Sequence, residues 1–410
     1  MKIIRIDKHS LAPTLVLMII VFITVSCAAL HPRNPIPENM ISKAEIPGLD
    51  SVRFMPGRRF VDETKDYNKE LKRFVLHSRR AAAKEFECCE RDLTILSLSG
   101  GGENGAFGAG ILIGWTASGS RPEFDIVTGI STGALQAPFA FLGPAYDSSL
   151  AVYSTITAKD IFKKRPFGTI LQQRDAVADF TPLENLIEGL FGEAELREVA
   201  RQHARGRLLI IGTTLLDAQL LVFWNMGAIA SSGHPDALNL FRKVMIASAS
   251  IPVAVPPVYI DVEAEGKTYD EMHVDGGVMT QVFGIKFLKY SADAWRKAGY
   301  TVNGRVYIIR NARLDPEWRE VDPKLVSIGG RSISTMIKSQ GIGDLYRAYV
   351  DANDANFDFN YIDIPSDFKQ LSEEPFDPKY MKALYDFGFQ RARKGLRWNK
   401  FPPYFTPLTN

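Results

Sequence analysis

The stretch from Asp92 to Gly133 constrains this chain more than any other. It reads Asp92-Leu-Thr-Ile-Leu-Ser-Leu-Ser, then Gly100-Gly-Gly-Glu-Asn-Gly105, an apolar run, and finally Gly129-Ile-Ser131-Thr-Gly133. Leu93, Ile95, Leu96 and Leu98 mark a strand. Ala106, Phe107, Ala109, Ile111, Leu112 and Trp115 recur at helical spacing, so a helix opens at the glycines. A second short strand then enters a second turn, which carries a serine. Strand, glycine turn, helix and strand in that order predict an α/β fold with a parallel sheet.

Gly129-x-Ser131-x-Gly133 has the form of a nucleophile elbow, in which glycines on either side of the serine leave room for crossing backbones. The following helix would bring its N-terminal N–H groups beside the hydroxyl. The plain alternative is a tight turn ending a strand. Three glycines in a row, between a strand and a helix, expose several N–H groups pointing one way, as an oxyanion site requires. Gly100, Gly102 and Gly105 also satisfy G-x-G-x-x-G, the dinucleotide fingerprint. That fingerprint wants an acid at the end of the second strand, whereas Asp125 begins the strand and Ser131 follows its end. No Gly-Lys-Ser/Thr follows, which excludes a P-loop. Acyl chemistry is the better reading.

An elbow serine needs a base. Met272-His-Val-Asp275-Gly-Gly-Val278 puts a carboxylate at the end of a short strand, against Gly276 and Gly277. The plain alternative is an Asp-Gly hairpin turn. An α/β-hydrolase order would need a histidine after the acid, and none follows Asp275. His203 and His234 read as surface residues. His273 shares a strand face with Asp275 and is read as a half-buried strand histidine, with a catalytic role as the alternative. An exposed aspartate is a feeble base, so burial must raise its pKa above ~3.9. Metal-ligand spacing is absent from the sequence, and neither metal nor cofactor is called for.

Together these pieces resemble the patatin-like phospholipase family. The matching motifs are Gly100-Gly101-Gly102-Glu103-Asn104-Gly105, Gly129-Ile130-Ser131-Thr132-Gly133 and Asp275-Gly276-Gly277, within about residues 92–282. Arg207 to Ala230 and Ala247-Ser-Ala-Ser-Ile-Pro-Val-Ala-Val-Pro-Pro257 also look like the family's core. The resemblance implies a lipid acyl hydrolase with a Ser–Asp dyad. Ser131 would be the nucleophile, Asp275 the base and the backbone of Gly100, Gly101 and Gly102 the oxyanion site. One departure is Asn104, at a place where many members carry Arg or Lys.

The N-terminus reads as a targeting element. Lys2, Arg5 and Lys8 precede an uncharged run from Ser10 to Leu30. Thr24-Val-Ser-Cys27 resembles a bacterial lipobox, which implies lipidation of Cys27 in the cell envelope. Thr24 stands where Leu is usual. The alternatives are an uncleaved membrane anchor and a freely secreted form. Residues 31–60, with prolines at 32, 35, 37 and 47, read as a linker, and 62–87 as a charged surface helix. Adjacent Cys88 and Cys89 are read as free thiols.

Residues 148–198 read as a helical insertion near the site mouth. Its apolar residues are assigned chiefly to packing. The basic and aromatic tail, from Arg391 to Phe405, is read as packed, with a lipid-surface contact as the alternative. With a formal charge of +2 over 410 residues, nothing points to nucleic acid.

Residues 61–410 are therefore expected to form one α/β domain. It should hold a central, mostly parallel sheet with helices on both faces and the Ser–Asp site at the strands' C-terminal edge. The expected substrate is a phospholipid, a lysophospholipid or another membrane lipid ester. An acyltransferase and a silent lipid- or partner-binding lipoprotein are the alternatives.

Overall fold

The computed structural model describes residues 33–55, 74, 90–165, 176 and 178–406. The expectations for residues 1–30, for Cys27, Cys88 and Cys89, and for most of the 62–87 helix lie outside them. Among the described residues nine strands form one mixed sheet. In chain order the strands are β1 (Arg53–Phe54), β2 (Glu90–Leu98), β3 (Ile126–Gly129), β4 (Lys163–Lys164), β5 (Ala178–Asp179), β6 (Leu208–Leu215), β7 (Leu220–Asn225), β8 (Val258–Ala264), β9 (Lys267–Asp275), β10 (Thr301–Arg310) and β11 (Asp358–Asp363). Strands β6, β3, β2, β10 and β11 lie side by side and parallel. β7, β1, β8 and β9 join through antiparallel pairs, while β4 and β5 form a separate small hairpin.

The period-2 alternation of these strands feeds two cores, one on each face of the sheet. Leu96, Leu98, Val127, Leu209 and Ile211 point into the first. Leu93, Ile95, Ile126, Leu208 and Ile210 point into the second. The longer helices are α1 (Gly105–Ala117), α2 (Thr132–Leu142), α3 (Thr181–Leu190), α4 (Glu193–Ala204), α5 (Ala237–Ala249), α6 (Ile285–Lys297), α7 (Leu325–Asp354) and α8 (Pro378–Arg393). Residues of α1, α2, α5 and α8 fill the first core, and those of α6 and α7 the second. No described helix is long and apolar enough to cross a membrane.

Position along β6 is what brings the candidate site together. One edge of β6 pairs with β7. Along the other edge β3 pairs first, ending with Gly129 opposite Ile211. β9 then takes over from the opposite direction, ending with Asp275 opposite Thr213. Two strands thus arrive head-on along one edge. The turn after β3 and the last residue of β9 must meet there.

Three expectations are corrected. Residues 33–55 are not a free linker: Ile36, Ile41, Ile46, Leu49 and Val52 are buried in the first core, and Glu45 bridges to Glu263. His203 is buried, with Nδ1 3.3 Å from the Arg207 carbonyl. His273 is wholly rather than half buried, and the plain alternative of a hairpin at Asp275-Gly-Gly gives way to a 3-10 turn, Gly276–Val278. Of the tail's aromatics, Trp398 packs against Trp115 and Tyr307, while Phe401, Tyr404 and Phe405 are exposed.

Candidate active site

Ser131 stands at φ 54°, ψ −126° between β3 and α2. That is a costly backbone for a residue with a Cβ, and it persists only where the surroundings enforce it. The flanking glycines are part of that enforcement. A Cβ at Gly129 would sit 2.5 Å from the Gly133 carbonyl oxygen, and one at Gly133 would sit 2.3 Å from that of Leu98. The Ser131 N–H donates to Ser248 Oγ (3.0 Å), which donates onward to the Gly212 carbonyl (2.7 Å). Two residues on, the Ser250 carbonyl accepts the Asp275 N–H (2.9 Å). The end of α5 therefore grips both reacting segments.

The Asp275 carboxylate accepts the Gly277 N–H (2.7 Å) and lies close enough to the Ser131 side chain for that side chain to act on its pKa. Both residues are buried, Ser131 at 5% exposure and Asp275 at 6%. Burial pushes the Asp275 carboxyl up to about 6, and the nearby Ser131 side chain and the Gly277 N–H only partly oppose the rise. None of the groups setting its pKa is a cation.

The glycine turn lies alongside. A Cβ at Gly100 would come within 3.0 Å of Ser131 Cβ, and one at Gly101 within 2.0 Å of the Asn311 carbonyl oxygen. Gly102 lines the same cavity as Ser131. The N–H groups of Gly101 and Gly102 meet no acceptor among the described residues, nor does that of Thr132, the first residue of α2. Gly105 opens α1 against Thr132, whose Oγ1 would lie 2.2 Å from an added Cβ. Gly276 packs against the Gly212 carbonyl, at 2.4 Å by the same measure. Asn104 makes no charged contact: its Oδ1 accepts the Tyr380 hydroxyl (2.6 Å) and so ties the turn to α8.

Ser131 forms part of the wall of a cavity of about 500 Å³. Leu135, Phe139, Ile187, Phe191, Met245 and Val255 supply much of its apolar lining. Ile187 and Phe191 belong to the 148–198 insertion, so that segment lines the cavity as well as packing. Among the described residues the charged ones in its lining are Lys164 and Arg165.

His273 is taken up elsewhere. It is wholly buried, with Nε2 3.1 Å from Glu271 Oε2 and Nδ1 2.9 Å from Thr213 Oγ1. Arg53 donates to both Glu271 oxygens. Burial lowers the His273 pKa despite the adjacent carboxylate. Since Glu271 can only accept, Nε2 carries the proton and Nδ1 accepts from the Thr213 hydroxyl.

Sequence reasoning assigned no role to Ser248, Gln281, Arg310 or Asn311. Asn311 Nδ2 donates to the Ser99 carbonyl (3.0 Å), and its Oδ1 accepts the Gly108 N–H (3.0 Å), clamping the glycine turn at both ends. Thr132 could have been singled out, because the residue after an elbow serine opens a helix. Among the described residues no cluster of His, Cys, Asp or Glu could hold a metal ion.

A family model of patatin-like phospholipases matches residues 96–283. Among solved structures the chain is similar to VipD from Legionella pneumophila, at 12% identity and a TM-score of 0.31, over 74% of this chain and 66% of that one. No curated protein sequence matches the chain.

Proposed function

Because the domain at residues 96–283 makes this chain a member of the patatin-like phospholipase family, we propose that it is a serine hydrolase cleaving carboxylic esters of phospholipids or lysophospholipids. The observation that carries this reading is the buried Asp275 carboxylate, raised in pKa and beside Ser131 on the wall of an apolar cavity. Lys164 and Arg165 in that lining supply positive charge that suits a phosphate-bearing substrate.

In the first step Ser131 Oγ bonds to the ester carbonyl carbon while its proton passes to Asp275. The carbonyl π electrons move onto oxygen, which the N–H groups of Gly101 and Gly102 are free to receive. Collapse expels the alcohol, which takes the proton back from Asp275. A water then attacks the acyl-enzyme, giving its proton to Asp275. Collapse of the second intermediate returns that proton to Ser131 Oγ and releases the fatty acid. A base near pKa 6 is half ionised at mildly acidic pH and mostly ionised at neutrality.

Anchoring in a bacterial envelope through lipidated Cys27 completes the proposal. It is supported by the basic residues at 2, 5 and 8, the uncharged run after them and the lipobox-like Thr24–Cys27. Incorporation of an alkyne fatty acid into wild type but not Cys27→Ala would bear it out, and equal incorporation would reject it.

The decisive experiment is lipid product analysis of wild type beside Ser131→Ala, with fluorophosphonate labelling of the serine. Release of fatty acid by wild type alone is expected. Labelling without hydrolysis, or transfer to an added alcohol in place of water, would redirect the reading to a binder or an acyltransferase.

A further inference from the structure

Arg310 is the last residue of β10 and is 1% exposed. Arginines are almost never this buried unless paired, yet among the described residues Arg310 forms no ion pair and its Nε has no hydrogen-bond partner. Its Nη1 donates instead to the carbonyl of Gly100 (3.2 Å) and to Gln281 Oε1 (3.1 Å). Asp344 and Asp363 act on it only through space, and burial pulls its pKa down to about 10, which leaves it cationic at neutral pH.

The position of that contact matters. The Gly100 carbonyl belongs to the same peptide as the Gly101 N–H, and in a trans peptide the two point in opposite directions. A cation behind the carbonyl therefore leaves the N–H facing away from it. Hydrogen bonds in a row polarise one another, and those made by a charged donor are the strong ones. The turn carries no cation of its own: Glu103 is acidic, and neutral Asn104 is occupied by Tyr380. Gln281 extends the link to the second turn by donating to the Gly277 carbonyl (2.8 Å), and Gly277 in turn donates to Asp275. Room for the guanidinium is reserved in α7, where a Cβ on Gly341 would lie 2.6 Å from Arg310 Nη2.

We propose that Arg310 is a positioning residue for ester cleavage, fixing the glycine turn from behind and strengthening the Gly101 N–H as a donor to the developing oxyanion. The proposal rests on the hydrolase reading above. It requires that Arg310 act on the transition state and leave ground-state lipid binding alone.

The test compares wild type with Arg310→Met, Arg310→Lys and Gly341→Ala, the last of which displaces the guanidinium without removing it. Steady-state hydrolysis of a soluble short-chain ester is measured beside inhibition by an alkyl trifluoromethyl ketone, whose serine adduct bears an oxyanion. Binding of an ether-linked lipid, which has no carbonyl, reports the ground state, and thermal melts report folding. For Arg310→Met, kcat should fall about 100-fold, the range for loss of one oxyanion donor. Affinity for the ketone should fall by the same factor, while KM and ether-lipid affinity stay within about threefold. Lysine should recover part of the loss, and Gly341→Ala should reproduce part of it. Should Arg310→Met fail to fold, the other two variants carry the comparison. Unchanged kcat and ketone affinity in folded Arg310→Lys and Gly341→Ala, or ether-lipid affinity falling in step with kcat, would overturn the role. A wild type that neither turns over esters nor takes a fluorophosphonate on Ser131 would instead bring down the hydrolase reading itself.

Discussion

Strand β9 carries two buried carboxylates four residues apart on one face, and their surroundings push them in opposite directions. Glu271 is held down at about 2, because the Arg53 guanidinium and His273 outweigh the cost of its burial. Asp275 rises to about 6, because only the Ser131 side chain and the Gly277 N–H offset the same cost. Burial alone therefore does not make a base. Burial without a countercharge does, since the proton is then the cheapest way to remove the charge. The first cluster is closed and structural, whereas the second is held short of neutralisation beside the Ser131 hydroxyl.

The sharpest way to break this contrast is to delete the second cluster's chemistry. Ser131→Ala and Asp275→Asn should each lower kcat/KM by roughly 10⁴-fold or more, as expected when members of one nucleophilic unit are removed singly. Persistent hydrolysis in both variants would show that the site lies elsewhere. In the first cluster, Arg53→Met should leave kcat per folded molecule within about threefold. It should nevertheless cost ~3–5 kcal/mol of stability, because Glu271 loses the guanidinium in a wholly buried site. Denaturant titration checks the second figure. A stability change under about 1 kcal/mol would mean the pair is not the brace it is taken for.

The third prediction concerns pH, and its sign differs between the two carboxylates. Asp275 has a folded pKa above its unfolded one, so its protonated form favours folding below pH 3.8. That contribution is lost as pH rises through about 6. Asp275→Asn should then be more stable than wild type by up to about 3 kcal/mol at neutral pH, with the advantage vanishing below about pH 4. Activity runs the other way: kcat/KM should fall about tenfold per pH unit below about 6, as the base is protonated. Glu271 has a depressed pKa, so its contribution is present above pH 4.5 and lost as pH falls toward 2. Melts of wild type, Asp275→Asn and Glu271→Gln across pH would test both signs. A wild type and an Asp275→Asn variant of equal stability at every pH would contradict the burial argument.

What the chain disclosed beforehand follows the same division between local and distant. The strand–turn–helix units around Gly100 and Ser131 were legible, because each is built from neighbouring residues with a definite period. The Asp275 turn was legible as a carboxylate against two glycines, although its nine-residue strand and its head-on meeting with β3 were not. Arg310 and Ser248 were hidden because their partners lie 210 and 117 residues away. Nothing periodic marks an arginine at a strand's end as buried. Arg53 was hidden for another reason. The prolines of residues 31–60 suggested a linker, and the buried Ile36, Ile41, Ile46, Leu49 and Val52 follow neither a helical nor a strand repeat. They join the first core, and the segment is fastened to the β8–β9 hairpin by the Glu45–Glu263 bridge and by Arg33 on Asp270 (2.6 Å).

The smallest expected effect belongs to His273, and it separates the two clusters most cleanly. This residue lies between the two carboxylates on the same strand face, so a histidine-based mechanism would have to use it. Yet Glu271 accepts its proton and Thr213, itself held by the Trp224 indole N–H (2.8 Å), fills its second nitrogen. A general base contributes roughly 10²–10⁴-fold, so its removal could not pass unnoticed. Glutamine offers an amide to Glu271 and an oxygen to Thr213. His273→Gln should therefore change kcat/KM by less than about threefold, with its effect confined to melting temperature. A hundredfold loss of turnover in folded His273→Gln, beside an Asp275→Asn variant that keeps its activity, would move the base from the open cluster to the closed one.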